Sequence, residues 1–257
     1  MLRFKSLGSG SGGNSTLVEA CGLVPFRILI DCGLGIRKLA LRLDEAGLRP
    51  EDIHAVFITH EHGDHIGCAL TLALRHRIPV WMSQGTHSAI GAPDFEGLLH
   101  TARDEKAIDL GGLQLMPFTV PHDAREPLQL SCTDGSAKLG ILTDLGHATP
   151  HVMAHLQACD ALLLESNHDT ELLSQSVYPA FLKRRVGGDY GHLSNTAAAG
   201  IACAANHSGL KHVVAAHLSA QNNRPDLAQD ALSNALGCHR SDIVVAGAAS
   251  GTPWLQI

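Results

Sequence analysis

The run Thr59-His60-Glu61-His62-Gly63-Asp64-His65 limits this chain more than any other stretch. It follows the short apolar segment 55–58, which reads as a buried strand. An extended backbone sends alternate side chains the same way, so His60 and His62 can converge on one ion. Gly63 is read as the residue that lets the chain turn, after which Asp64 and His65 face a second point. Neutral imidazoles and a carboxylate suit zinc and similar first-row metals. Four side chains cannot complete two metal shells, so the fold must bring partners from further along. His122, Asp144 and His217 are the candidates. Each follows a strand-like apolar segment, and loops at strand ends build sites on a rigid scaffold.

Those partners imply an alternating α/β chain, and the sequence reads as one. Strand-like segments at 2–6, 15–20, 27–31, 55–58, 80–82, 113–120, 128–133, 139–143, 161–165, 213–216 and 243–246 are interleaved with helical spacing at 36–46, 66–75, 152–157, 194–205 and 227–236. Ser194 or Asn195 is the expected cap of the fourth helix. Ile30-Asp31-Cys32-Gly33 is echoed by Thr143-Asp144-Leu145-Gly146, each an apolar strand ending in Asp-x-Gly. Later in each half an apolar strand ends at a histidine, His60 and then His217. Two similar β-rich halves sharing a cleft are expected. No linker or low-complexity tract divides the chain, so residues 1–257 are read as one domain. At 257 residues with 45% apolar content it can bury a sizeable core.

Other features narrow the function class. The seven cysteines are odd in number and form no C-x-x-C, which points to reduced thiols. The start Met1-Leu2-Arg3-Phe4-Lys5 lacks the apolar stretch of a signal peptide, and no run reaches the ~18 apolar residues of a membrane span. A cytoplasmic protein without a membrane partner is expected. The net charge of −6 argues against a surface that coats nucleic acid, but not against a nucleic-acid enzyme whose metals supply positive charge. Gly8-x-Gly10-x-x-Gly13 matches the dinucleotide fingerprint literally. The segment after it reads as a strand rather than a helix, so no nucleotide cofactor is expected. A Gly/Ser turn there can instead offer Ser9, Ser11 or Asn14 to a phosphate. Lys183, Arg184 and Arg185 are further candidates for substrate contact. The histidines at 54, 76, 87, 100, 147, 151, 155, 168, 207, 212 and 239 are treated as ordinary surface or capping residues, and Trp81 and Trp254 as core.

The H-x-H-x-D-H run resembles the signature of the metallo-β-lactamase superfamily. Asp31, residues 60–65, His122, Asp144 and His217 resemble its five motifs in order. The resemblance spans essentially the whole chain and implies a four-layer αββα sandwich with two divalent metals in a cleft at one edge of the paired sheets. It implies His60, His62 and His122 on the first metal and Asp64, His65 and His217 on the second. Asp144 would bridge the two, and Asp31 would orient ligands from behind. Zinc is the expected metal, with manganese and iron also compatible.

Within the superfamily, β-lactamases commonly carry cysteine where this chain has Asp144, and the oxygen-reducing di-iron branch carries glutamate where it has His62. Glu165-Ser166-Asn167-His168, Gly191-His192-Leu193-Ser194-Asn195 and His217-Leu218-Ser219 are similar to segments of the tRNA 3′-processing nucleases. Together with residues 8–15, Tyr178-Pro179 and Asn222-Asn223 they resemble the YycJ/WalJ exonuclease group still more. That resemblance implies a 5′→3′ exonuclease on double-stranded DNA. A shared hydroxide held by two metals would attack phosphorus, with Asp64 orienting it. His192 would act as donor, its tautomer set by Glu165. The alternatives are hydrolysis of a small thioester, lactone or cyclic phosphodiester, and a non-catalytic metal-stabilised regulatory protein. The oligomeric state is not legible in the sequence.

Overall fold

The structure is a computed structural model that describes residues 1–257. Its strands are Leu2–Gly8 (β1), Ser15–Ala20 (β2), Phe26–Ile30 (β3), Ala55–Phe57 (β4), Val80–Met82 (β5), Leu99–Thr101 (β6), Ile108–Asp109 (β7), Gln114–Thr119 (β8), Leu128–Thr133 (β9), Lys138–Leu142 (β10), Ala161–Glu165 (β11), His212–Ala216 (β12), Val244–Val245 (β13) and Leu255–Gln256 (β14). The helices are Ile36–Glu45 (α1), Gly63–Ile66 (α2), Ala69–His76 (α3), Gln84–Ala89 (α4), Pro150–Leu156 (α5), Thr170–Gln175 (α6), Ala180–Val186 (α7), Asn195–Ala205 (α8) and Pro225–Leu236 (α9).

The strands form two sheets of seven, ordered β14-β1-β2-β3-β4-β5-β6 and β13-β12-β11-β10-β9-β8-β7. In the first, β14-β1-β2-β3 pair antiparallel and β3 to β6 parallel. In the second, β7-β8-β9-β10 pair antiparallel and β10 to β13 parallel. The two sheets therefore share one topology, and β3 corresponds to β10. The echo of Asp31-Cys32-Gly33 in Asp144-Leu145-Gly146 follows from that correspondence.

Alternation along the strands sorts the core into layers. Ile28, Ile30, Ile141, Leu163 and Val214 belong to one apolar cluster shared by both sheets. Leu29 and Val56 point the other way, into a cluster with Leu39 and Leu43 of α1 and Leu72 of α3. Leu162, Leu164 and Val213 pack outward with Val152 of α5, Ile201 of α8 and Leu232 of α9. The result is four layers, αββα.

This topology aims the site residues at one edge. β3 and β4 run parallel, as do β10, β11 and β12, and β8 runs in the direction of β10. Asp31, His60, His122, Asp144, Glu165 and His217 all stand at or just beyond the C-terminal ends of these strands. Ligand sites in open α/β sheets gather at such ends. Asp31, Asp144 and His217 have φ of 64°, 54° and 54°. Left-handed backbone is uncommon in non-glycine residues, though Asp and His are enriched there. It is a strain that clusters at functional sites.

The helix expected over 66–75 is split. Gly67, at φ 30°, hooks the chain so tightly that a Cβ there would lie 2.4 Å from the Cys32 carbonyl oxygen. The turn attributed to Gly63 is a helical one, and a Cβ on Gly63 would meet nothing within 4 Å. The glycine this loop depends on is Gly33, whose Cβ would fall 1.7 Å from the Asp64 carbonyl oxygen. Its counterpart Gly146 is pressed in the same way, a Cβ there lying 2.0 Å from the Asp189 carbonyl oxygen. Gly33→Ala is therefore expected to destabilise the fold by ~3 kcal/mol or more, a drop of roughly 6–12 °C in a chain of this size. Gly63→Ala is expected to leave the melting temperature nearly unchanged. Thermal unfolding of the two variants checks this, and equal melting temperatures would remove Gly33 from the argument.

Trp81 and Trp254 are half-buried rather than central. Trp81 stacks on His100 with ring centroids 4.5 Å apart, and Arg3 lies 4.2 Å over the Trp254 ring. All seven cysteines are free thiols, four of them buried. No helix is long and apolar enough to cross a membrane.

Candidate metal centre

Four overlapping groups of donor atoms meet at the strand ends. His60, His62 and His122 form one, Asp64, His65 and His217 a second, His60, His65 and Asp144 join them, and Asp144, Glu165, His192 and His217 make a fourth at the side. In the first group the His62 Nδ1 lies 3.0 Å from His60 Nε2 and 3.3 Å from His122 Nε2. In the second, Asp64 Oδ2 lies 3.7 Å from His65 Nε2 and 3.5 Å from His217 Nε2. Asp144 stands between them, with Oδ2 4.0 Å from His60 Nε2 and against His65 Nε2.

In three of these rings the far nitrogen is already engaged, which fixes the inward-facing atom. His65 Nδ1 lies 2.7 Å from Asp31 Oδ2. His122 Nδ1 lies 3.2 Å from the Gly191 carbonyl oxygen, and His60 Nδ1 lies 3.0 Å from Thr59 Oγ1. Thr59 in turn donates its backbone N–H to Asp31 Oδ1 at 2.9 Å. Asp31 thus holds both His65 and the strand exit that carries His60.

Several braces carried no signal in the sequence. Gln129, fully buried, grips the peptide of Thr143, accepting from its N–H at 3.2 Å and donating to its carbonyl. That clamp immediately precedes left-handed Asp144. Asn167 donates to the His217 carbonyl at 2.9 Å, and Ser9 Oγ accepts from the His217 N–H at 2.7 Å. Asn14 accepts from the Gly10 N–H at 2.8 Å and donates to the Asp64 carbonyl at 3.2 Å. Ser9 and Asn14 were expected to face a phosphate. They are buried, and their side chains hold His217 and Asp64 in place instead. Glu61 turns away from the cluster and accepts from the Arg125 N–H at 2.7 Å.

A cleft of about 390 Å³ opens on this cluster, lined among others by Ser11, Asp64, Asp144, Arg185, His192 and His217. His192 sits at its edge. Its Nδ1 lies 2.7 Å from Glu165 Oε1 and 3.1 Å from Asp144 Oδ1. Glu165 is completely buried and accepts from the N–H groups of Leu145 and Leu193, each at 3.1 Å. Of the three basic residues on α7, Arg185 lines the cleft and pairs with Asp123 at 2.6 Å. Lys183 donates to the Ser174 carbonyl, and Arg184 is exposed outside the cleft lining.

The electrostatics divide the cluster in two. Burial, with the neighbouring His65, holds His60 well below its ordinary value, and burial also lowers His122. Burial opposes a charge on His65 as well, but the Asp144 and Asp31 carboxylates push it up to about 10. His217 is likewise driven well above its ordinary value by Asp144 against the effect of burial. Burial alone would raise Asp144, yet His217 and His65 hold it well below the carboxylate range. Glu165, buried beside His192, is brought down to about 2 in spite of that burial. His192 is held up to about 9 by Glu165 and Asp144, again against burial.

The donor set fits divalent cations. Both Asp144 oxygens and His217 Nε2 are buried without a hydrogen-bond partner, although imidazole nitrogens crowd the carboxylate, His217 Nδ1 at 2.6 Å. Donor atoms converging without hydrogen-bond geometry are what shared ligation to a cation produces, and orphaned buried groups of this kind need such an explanation.

A four-layer αββα sandwich with a histidine–aspartate cluster at one sheet edge defines a class of metal-dependent hydrolases. A family model described as the beta-lactamase superfamily domain matches residues 26–218, and the chain belongs to that superfamily. It is 32% identical over 240 residues to the exodeoxyribonuclease YycJ of Bacillus anthracis, covering 91% of this chain and 89% of that protein. It is 30% identical over 239 residues to the exodeoxyribonuclease WalJ of Streptococcus pneumoniae serotype 2, covering 91% and 88%. Among solved structures, the metallo-beta-lactamase fold protein YhfI of Bacillus subtilis superposes with a TM-score of 0.76 over the whole of both chains at 15% identity, a likeness of fold alone.

Proposed function

We propose that this chain is a phosphodiesterase that degrades DNA, a 5′→3′ exonuclease on duplex ends with two divalent ions at its centre. The observation that carries this reading is His192, pinned by buried Glu165 at the edge of the donor cluster with its second nitrogen left for the cleft. His60, His62 and His122 would hold one ion, Asp64, His65 and His217 the other, and Asp144 both. Two such ions, zinc or manganese, supply a water of lowered pKa and positive charge against the phosphoryl oxygens. Asp64 accepts a hydrogen bond from the attacking water and orients it. His192, carrying a proton at neutral pH, donates either to a non-bridging oxygen or to the leaving oxygen. Asp31 keeps His65 in the tautomer that turns Nε2 inward.

The rim of the cleft supports a nucleic-acid substrate despite the acidic net charge. Lys183, Arg184 and Arg185 are consecutive on α7. Phe181, 65% exposed, lies one helical turn from Arg185, and Tyr190, 63% exposed, adjoins Gly191. Arg185 is placed for a phosphate, and exposed aromatic rings beside basic residues suit unstacked bases. The deciding experiment is a hydrolysis panel with zinc- and manganese-loaded protein. It would include 5′- and 3′-labelled duplex DNA, single-stranded DNA, RNA, bis(p-nitrophenyl) phosphate and a thioester. Mononucleotides released progressively from the 5′ end of duplex are expected. Thioester turnover with no cleavage of any nucleic acid would replace this reading with small-substrate hydrolysis.

The divided electrostatics give a pH prediction. His60 and His122 are held neutral, ready to ligate. His65 and His217 keep protons to high pH in the metal-free chain, and each ion they accept must displace them. Loading of the Asp64–His65–His217 side is expected to strengthen as pH rises from 6 toward 9 and to release protons. Loading of the His60–His62–His122 side should change little between pH 7 and 9. Calorimetry in buffers of different ionisation enthalpy reads the proton release. No release for either ion would contradict the assignment.

A further inference from the structure

Away from the cleft, Glu105, His151 and His155 present a second histidine–carboxylate group, each offering one donor atom within 4.8 Å of the others. His151 and His155 are four residues apart on α5 and so share a face. Glu105 comes from the loop between β6 and β7. Its Oε1 lies 4.0 Å from His151 Nδ1 and 3.8 Å from His155 Nε2.

The surroundings hold both rings ready. Asp104 Oδ1 lies 3.0 Å from His151 Nε2 and also accepts from the Thr119 N–H at 2.7 Å. A carboxylate on the outer nitrogen puts the proton there and turns the Nδ1 lone pair toward Glu105, the arrangement that metal-binding histidines commonly use. The His155 ring lies flat on Phe118, with centroids 4.7 Å apart and planes within 7°, which fixes its orientation. Donors around tetrahedral zinc sit ~2.0–2.2 Å from the ion, hence about 3.3 Å apart. The Glu105 side chain is 65% exposed, so it is free to move closer to both rings, and the half-exposed His151 ring can turn to bring its donor within reach of the ion.

We infer that Glu105, His151 and His155 bind a zinc-class divalent cation, with water as a fourth ligand and Asp104 positioning His151. Two imidazoles select zinc, cobalt, nickel or copper over magnesium and calcium. The ion ties the loop that carries Asp104 and Glu105 to α5. Both elements touch β8, the loop at Thr119 close to the end that leads to His122, yet the site shares no side chain with the cleft lining and stands or falls separately from the proposed activity.

The test uses protein whose cleft is already loaded, dialysed against micromolar free zinc and assayed for zinc per chain and melting temperature. Glu105→Gln removes an exposed ligand and His151→Gln one ring, so neither threatens the fold, as circular dichroism would verify. Wild type is expected to hold one zinc ion more than either variant. Its melting temperature should rise with zinc but not with magnesium, and neither variant should show that rise. Affinity at this site is expected to fall more than ~100-fold in each variant, beyond what loss of an outer partner does. Equal zinc content in wild type and both variants would overturn the inference and leave the group an ordinary surface ion-pair cluster.

Discussion

Asp144→Asn is expected to reduce hydrolysis by ~10³-fold or more and to lower the bound metal below two ions per chain, with the fold intact. The size follows from what the carboxylate faces. Both oxygens are buried and lack hydrogen-bond partners. Imidazole nitrogens from His65, His192 and His217 surround them, with His60 Nε2 4.0 Å away. A buried anion so placed is tolerable only with positive charge beside it. Asparagine keeps the shape, contributes one lone-pair oxygen, and turns an NH₂ group toward the His65 or His217 nitrogen, which would share its cation. Charge offset at a reacting phosphoryl group amounts to several kcal/mol, and each 1.36 kcal/mol is tenfold in rate. Elemental analysis and steady-state hydrolysis measure the two effects together. A variant with a full metal complement and a near-normal rate would remove Asp144 from the centre of the site.

Much of the fold was legible because the strands alternate cleanly between two apolar surfaces. β2, β5, β9 and β11 fall where periodicity and punctuation put them. The repeat of an apolar strand closed by Asp-x-Gly correctly announced two halves of one topology. What escaped was short or depended on distant backbone. α4 and α6 have six residues each, too few to show helical period, and are started by side-chain caps from Ser83 and Asp169. The break between α2 and α3 is imposed by the Cys32 carbonyl, remote in sequence from Gly67.

The site was legible where chemistry demanded particular residue types. Histidines and aspartates at strand ends stand out, and the structure brings all seven candidate ligands together. The supporting residues do not stand out. Gln129 is an apolar-strand residue by position, and nothing local says that it grips the peptide before Asp144. Ser9 and Asn14 look like a phosphate-binding turn, because a Gly/Ser-rich loop with free amides has that composition. Burial against Asp64 and His217 gives their hydrogen bonds another use. His151 and His155 looked like surface residues because their carboxylate partners come from a separate loop.

His192→Gln is expected to lower kcat on duplex DNA by ~10²–10⁴-fold, the range for removing a positioned proton donor. Metal content should be unchanged, since Glu165 occupies the Nδ1 side of the ring and the remaining nitrogen faces the cleft. The donor must carry its proton, and Glu165 with Asp144 holds His192 up to about 9. That value holds for the metal-free chain, so wild-type kcat should fall on an alkaline limb that cations beside Asp144 would move below it, with Glu165 still supporting the proton. The variant should lose that limb. Glu165→Gln removes the charge that supports the imidazolium, so its limb should move to lower pH. The leaving group distinguishes the two donor roles. A proton delivered to the leaving oxygen matters little for p-nitrophenolate, so His192→Gln would spare bis(p-nitrophenyl) phosphate relative to DNA. Contact with a non-bridging oxygen would reduce both substrates alike. A His192→Gln enzyme with wild-type kcat and an unaltered pH profile on both substrates would exclude the histidine from the reaction.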